Sequence, residues 1–252
     1  VNLLRGDVAM SNQFFTLKEI REEIEKVLQD EANDKYKAEE IEHAIYEILW
    51  KKCNMKVEYL EDNEFYLKEL CGCLRKSYYE RKFAIPPKPE SYPLKVYVGM
   101  ILHDLLTHEL ANYFKGKAEV EEVYEHNGLS IRCRCDILLD DEVWELKVKV
   151  FRSKPNIVDI RQLNAYLHVY NKNVGRFIIL TLYNGQTGKK HCKPVNVVKI
   201  TPNHKMFMEI LVRAEYLHRC LKKGIEPQVQ LSESEKRLLC SRCIYKQLCT
   251  GF

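Results

Sequence analysis

From Leu129 the chain alternates in character. Leu129, Ile131, Cys133, Cys135, Ile137 and Leu139 fall on one side of an extended backbone, while Ser130, Arg132, Arg134 and Asp136 fall on the other, with Leu138 breaking the pattern. A period of two predicts a β-strand with one buried face. After Asp140-Asp141 it resumes, with Trp144, Leu146, Val148 and Val150 apolar and with Glu145, Lys147 and Lys149 on the polar face beside Val143. Two strands joined by a tight acidic turn are therefore expected, although Asp-Asp is not a favoured pair for a type I′ turn. If those two aspartates form the turn, Leu139 pairs with Glu142 and Asp136 stands opposite Glu145. Upstream, Ala118 to Glu125 reads as a third strand, entering the pair through Asn127-Gly128, a strong hairpin signal.

The remaining pattern is mostly helical. Thr16 to Glu19 forms a capping box, and Ile20, Ile24, Val27 and Leu28 continue at helical spacing to about Asp30. A second helix is expected from Ala38 to Lys52, burying Ile41, Ala44, Ile45, Ile48 and Leu49. Pro86, Pro87, Pro89 and Pro93 mark a linker that cannot continue a helix. A long helix follows from Pro93 or Leu94 to Phe114, with Val98, Ile101, Leu102, Leu105 and Tyr113 as the expected buried stripe; His103 and His108 lie at its two edges, and periodicity does not choose between them. Beyond the strand pair, Ile157 to Tyr170 is a helix with Gln162 and Tyr166 on one face. Arg176 to Tyr183 is a strand, Asn184 to Gly188 a turn, Asn196 to Ile200 a strand and Met206 to Lys222 a helix. This order is an α/β plan with a mixed sheet.

Composition narrows the class. With 252 residues, 46% of them hydrophobic and 30% charged, the chain is long enough for one sizeable core and a smaller lobe. No apolar run approaches the roughly 20 residues needed to span a bilayer, so a cytoplasmic protein without membrane association is expected. The N-terminal VNLLRGDVAMSN has neither a long apolar stretch nor a small-residue cleavage site, so no secretory signal is read there, and Met10 is an alternative start to Val1. The net charge of +4 does not by itself announce a nucleic-acid binder. Basic clusters occur at Arg75, Lys76, Arg81 and Lys82, at Lys147, Lys149, Arg152 and Lys154, and at Lys189, Lys190 and Lys193, each equally readable as a solvated face.

Two constellations carry candidate chemistry. Like charges about 5 Å apart on paired strands destabilise a sheet, so Asp136 facing Glu145 calls for a proton, a cation or a slipped register. A divalent metal is the natural cation, and Lys147 returns to the same face with its ammonium alongside; the alternative is a charged, solvated hairpin face. The second constellation is the C-terminal CSRCIYKQLCTGF, which spaces Cys240, Cys243 and Cys249 as metal ligands. Ten cysteines without an export signal favour metal or cofactor ligation over disulfides. A fourth ligand is needed, and Cys73 or Cys71 can supply it, whereas Cys133 and Cys135 read as core residues. Spacing alone leaves zinc and a 4Fe-4S cluster both open.

Taken together, these pieces resemble the RecB-type nucleases with an iron-sulfur cluster, within the PD-(D/E)xK superfamily, and most closely their CRISPR-associated branch, the fourth Cas family of exonucleases. The resemblance rests on Cys73 with Arg75 and Tyr78, His103 after Gly99, Asp136, Glu145 with Lys147, Gln162 with Tyr166, and the triplet Cys240, Cys243 and Cys249, all in the family order over about residues 65 to 250. It departs from the family in that Asp136 follows Cys135 rather than a glycine-flanked setting. The resemblance implies a restriction-endonuclease-like α/β core (65–225) whose mixed central sheet is flanked by helices, a helical N-terminal lobe (1–64) and a C-terminal iron-sulfur segment (226–252). It implies metal ligation by His103, Asp136, Glu145 and the main-chain carbonyl of Leu146, catalytic roles for Asp136, Glu145, Lys147, Gln162 and Tyr166, and a 4Fe-4S cluster on Cys73, Cys240, Cys243 and Cys249. The implied cofactor is Mn²⁺ or Mg²⁺. The implied partners are single-stranded DNA ends and the CRISPR integrase complex, with self-association left open. Alternative readings are an iron-sulfur nuclease of DNA repair, a non-catalytic cysteine-cage nucleic-acid binder, and a redox protein. No Gly-x-x-x-x-Gly-Lys-Ser/Thr loop is present, so no ATP motor is expected.

Overall fold

The computed structural model describes residues 38–52, 60–83, 93–149, 154–182, 195–241 and 243–249. The expected helix at Thr16 to Asp30, the turn at Asn184 to Gly188 and most of the proline linker lie outside these residues. The chain divides into two compact units between Glu47 and Ile48. Helix α1 (Ala38–Lys52) forms where helical spacing predicts it, but Ala44, Ile45 and Ile48 are exposed rather than buried. Periodicity fixes which positions share a face. It does not supply an element to cover that face.

The larger unit is built on one mixed sheet. Strand β1 (Glu64–Tyr66) is followed by two helices, α2 (Leu67–Cys71) and α3 (Leu74–Phe83), and then by the long helix α4 (Leu94–Tyr113). Strands β2 (Lys117–His126), β3 (Leu129–Leu138) and β4 (Glu142–Lys149) follow, then helix α5 (Ile157–Val169), strands β5 (Val174–Thr181) and β6 (Val195–Ile200), and helices α6 (His204–Lys223) and α7 (Glu233–Leu239). The sheet order is β1-β3-β4-β5-β6, with β2 also pairing β3. Strand β4 runs parallel to β5, joined through α5 in a crossover connection, while β5 and β6 are antiparallel. This is the mixed α/β plan expected from the sequence. The short elements β1, α2, α3 and α7 carry too few residues for a period to show.

Local chemistry explains the boundaries. Asn127 and Gly128 both take positive φ, 50° and 77°, the type I′ geometry whose twist suits a two-residue hairpin. Asn156 caps α5 by accepting from the amides of Val158 and Asp159, and Asp159 reciprocates at the Asn156 amide. Helix α6 ends at Gly224 in the left-handed region, φ 64°.

Helices cover both faces of the sheet. The main core joins the sheet to α2, α3, α5 and α6 through residues such as Leu70, Tyr78, Cys133, Cys135, Leu163, Phe177 and Ile210. A smaller cluster, Ala111, Ile137 and Trp144, lies under α4. The expected stripe on α4 is not the face that packs: Val98, Ile101, Leu105 and Tyr113 are 40–80% exposed, and Tyr97, Thr107 and Ala111 are buried instead. Apolar residues surround most of this helix, so period alone could not select one side. Packing the opposite face turns His103 toward the sheet.

Candidate active site

The register predicted for the acidic hairpin is the one observed near its turn. Leu138 pairs with Val143 and Ile137 with Trp144, and the Leu139 amide donates to the Glu142 carbonyl at 2.9 Å. The next rung would be Asp136 with Glu145, and there the ladder stops. Instead the Leu146 amide donates to Asp136 Oδ2 at 2.6 Å. Upstream, the same edge of β3 pairs with β1 at Ser130 to Arg132. Strand β3 is therefore forked, and Asp136 sits in the gap. Tyr166 of α5 occupies part of that gap, its hydroxyl donating to the Arg134 carbonyl at 2.5 Å while Gln162 Nε2 donates to the Tyr166 oxygen at 2.9 Å.

Around Asp136 the predicted residues gather. His103 Nε2 lies 3.1 Å from Asp136 Oδ2. His108 pairs with Asp104 on the exposed side of α4, so the packing of that helix resolves a choice that periodicity left open. Lys147 Nζ donates to Glu145 Oε1. Glu145 is 1% exposed, and its Oε2 is buried with no hydrogen-bond partner among the described residues. An orphaned buried carboxylate oxygen costs about 1–3 kcal/mol or more, so this atom fits a missing ligand. Leu146 takes part through its amide, while its side chain is core.

Electrostatics follow from this crowding. Burial, then the negative charge of Asp136, pushes the Glu145 carboxyl up to about 7. Burial works against the Lys147 ammonium, but Glu145 and Asp136 outweigh it and hold the lysine charged above its ordinary range. Burial likewise disfavours the His103 imidazolium, and the hydrogen bond to Asp136 overturns that and raises the group. Burial and then Glu145 raise the Tyr166 phenol well above its usual value.

One residue at this centre carries no motif. Glu119, on β2, offers a carboxylate oxygen that lies, with His103 and Asp136, in a group whose ligand atoms are all within 4.8 Å of one another. Such a His/Glu/Asp group can hold a divalent cation. The signal was present in the Asn127-Gly128 turn, which sets β2 against β3 so that Glu119 falls opposite Asp136. That rung too is missing from the ladder, and Glu119 takes φ 51° in mid-strand, a left-handed conformation uncommon for any residue but glycine. Its Oε2 accepts from Arg134 at 2.9 Å, an arginine that is two-thirds exposed. A second ion pair the motifs did not reveal, Lys149 with Asp159 at 2.6 Å, ties β4 to the start of α5.

The cysteines separate into two populations. Cys73, Cys240, Cys243 and Cys249 line one small cavity together with Lys76, Val229, Leu239 and Lys246. Cys71 is fully buried in the main core beside Cys133 and Cys135, where burial pushes its thiol up to about 12. A thiolate ligand is disfavoured there. Around the cavity the turn before Cys73 is held by arginines: Arg213 donates to the carbonyls of Leu70 and Gly72, and Arg161 to that of Cys71 at 3.3 Å and to Glu235 at 2.6 Å.

No protein-family profile matches the chain, and no curated protein matches it. Among solved structures it is similar to SSO0001, with a TM-score of 0.63 and 21% identity over 83% of this chain and 96% of that one. At that identity the likeness concerns the fold. An alkaline exonuclease from Laribacter hongkongensis superposes at 12% identity over 71% of this chain and 94% of that chain with a TM-score of 0.45, and its complex with dAMP gives 0.46; superpositions this loose carry no functional inference. No helix among the described residues is long and apolar enough to cross a membrane.

Proposed function

We propose that this chain is a divalent-cation-dependent nuclease that shortens single-stranded DNA ends, carries a 4Fe-4S cluster on Cys73, Cys240, Cys243 and Cys249, and trims captured DNA for CRISPR spacer integration. The observation that carries the nuclease reading is the opened rung: Asp136 fixed by the Leu146 amide and His103, Glu145 beside it with an unmatched buried oxygen, and Lys147 alongside. The restriction to single-stranded ends and the CRISPR setting rest on the family resemblance alone.

His103, Asp136, Glu145 and the Leu146 carbonyl would hold Mn²⁺ or Mg²⁺. Bound there, the cation would draw charge from the scissile phosphate and make an adjacent water a better nucleophile near neutral pH. The protein's own groups do the rest. Lys147, kept as an ammonium by two carboxylates, would orient the attacking water and offset the charge growing on phosphate oxygens rather than accept a proton. Gln162 and Tyr166 act one step back. Their linked hydrogen bonds satisfy the Arg134 carbonyl that the fork leaves without a strand partner, so they hold β3 in the shape that presents Asp136.

The four cysteines of the cavity suit a thiolate-bound cluster. Cys73 lies far from the C-terminal triplet in sequence, so a shared cage would close most of the core into a loop and restrict the unfolded chain. The role proposed for it is structural.

The test uses the full chain, purified anaerobically, with end-labelled single-stranded DNA and Mn²⁺. The expected result is progressive shortening, abolished by EDTA and by Asp136→Asn or Glu145→Gln, from a brown protein containing about four irons per chain. Retained cleavage in both variants would remove the assigned site, and a colourless, zinc-bearing protein would remove the cluster.

A further inference from the structure

We infer that Arg134 is a substrate-binding residue, whose guanidinium holds the DNA phosphate next to the scissile one through its two terminal nitrogens. This rests on the nuclease reading for its substrate and adds to it a contact that fixes where the strand lies. On β3, Arg134 precedes Asp136 by two residues, so the two side chains are rooted on one face about 6.7 Å apart. The guanidinium meets Glu119 and not Asp136, its Nε lying 2.9 Å from Glu119 Oε2. It therefore stands one side chain outward from the centre, where a neighbour of the reacting phosphate would pass.

Three observations single it out. The terminal nitrogens of Arg134 donate no hydrogen bond among the described residues, whereas Arg81, Arg176 and Arg213 each give a terminal nitrogen to a protein oxygen. The Arg134 side chain is 66% exposed beside Asp136 and Glu145, which are 8% and 1% exposed, so its unused fork opens to solvent at the rim of a buried centre. The other cations nearby are committed, Lys147 to Glu145, His103 to Asp136 and Arg132 to Glu64. Lastly, the residue is held at both ends. Tyr166 donates to its carbonyl at 2.5 Å, and Glu119 keeps its left-handed φ of 51° with one carboxylate reaching both the His103–Asp136 group and Arg134 Nε. Backbone strain of that kind persists only where the surroundings over-determine it, and an exposed ion pair contributes too little to folding to be its purpose. A guanidinium anchored at Nε and open at its terminal edge matches two phosphate oxygens, and anchoring beforehand reduces the freedom lost on binding.

Fluorescence anisotropy with the full chain, a short single-stranded oligonucleotide and no added divalent cation measures binding without cleavage. Over a salt series, the slope of log affinity against log salt should be shallower by about 0.7 in Arg134→Gln than in the wild type, the share of one single-strand phosphate contact. Affinity at the lowest salt should fall by about tenfold or more. An unchanged slope, or a wild-type chain that binds no oligonucleotide, overturns the inference. Arg134→Lys should keep the slope and lose affinity, since an ammonium carries the charge without the fork. If Arg134→Gln does not fold, as judged by thermal unfolding, Arg134→Lys decides, and equal affinity with the wild type overturns the inference. With Mn²⁺ added, Arg134→Gln should raise KM far more than it lowers kcat, because a neighbouring phosphate is bound alike before and during reaction. A fall in kcat at constant KM would place the contact on the reacting phosphate and overturn the assignment. A shallower slope in a chain that cleaves nothing would sink the nuclease reading and leave Arg134 as a phosphate contact, whereas cleavage with an unchanged slope would do the reverse.

Discussion

The carboxylate fork and the cysteine cavity are both sets of acidic side chains drawn together, yet they are assembled by opposite means. At the fork, Glu119, Asp136 and Glu145 come from three consecutive strands linked by two-residue turns, and the register of the neighbouring rungs brings them to one end of the paired segments. At the cavity, Cys73 meets Cys240, Cys243 and Cys249 from the far end of the chain, and no ladder connects them. The short helix α7 and guanidinium bonds to the Leu70–Gly72 turn do that work. A site made by register should keep its shape without its ion, at an electrostatic cost. A site made by converging loops should depend on its ligand for its shape.

The largest effect should come from Glu145→Gln or Asp136→Asn, each expected to lower Mn²⁺-dependent DNA cleavage by more than about 100-fold, the scale of losing a charge-stabilising group. If the cysteine cavity carries the proposed cluster, its visible absorbance should be unchanged. A parallel loss of absorbance would show that the two regions are not separable. Next in size is Cys240→Ala. If the cage crosslinks the core, its loss should remove about 4.7 kcal/mol, the value for closing a loop of about 100 residues, and lower Tm by about 10 °C or more in a chain of this length. Scanning calorimetry that finds no shift would mean the cavity is not load-supporting for the core.

A pH series sharpens the same contrast. Glu145 holds its proton up to about 7 because burial and Asp136 penalise the carboxylate. A cation must displace that proton, so Mn²⁺ affinity should rise by about tenfold per pH unit as pH climbs toward 7 and level off above it. Removing the carboxylate in Glu145→Gln should flatten this rise. The sign is reversed for the empty protein: a carboxyl whose folded value lies above its ordinary 4.5 disfavours the folded state increasingly as pH rises past 4.5 and through 7. Smaller again, His103→Ala should weaken Mn²⁺ binding by about 10–100-fold, while His108→Ala, on the exposed side of α4, should leave it unchanged.

Much of the fork could be read in advance because it obeys short-range rules. Alternation from Leu129 to Leu139, a two-residue turn at Asp140-Asp141 and simple counting placed Asp136 level with Glu145. What counting could not show is that pairing ends at that rung, since this depends on β1 and Tyr166 claiming the strand edge from elsewhere in the chain. Helix α4 failed as a pattern for a related reason. With apolar residues on most sides, its orientation was decided by the sheet beneath, which took His103, Thr107 and Ala111 and left Ile101 and Leu105 outside. The choice of Cys73 over Cys71 as a cavity residue was equally invisible, because two positions along a turn separate a core side chain from a cavity one.

Each flank of Asp136 is aligned by its own reversal of the chain, Asn127-Gly128 on one side and Asp140-Asp141 on the other. Inserting a single amino acid at the first would rotate Glu119 to the opposite surface of the sheet and spare Glu145, and an insertion at the second would do the converse. Two independently adjustable loops therefore tune the halves of one centre, which allows sequence drift or engineering to remake one half without dismantling the other.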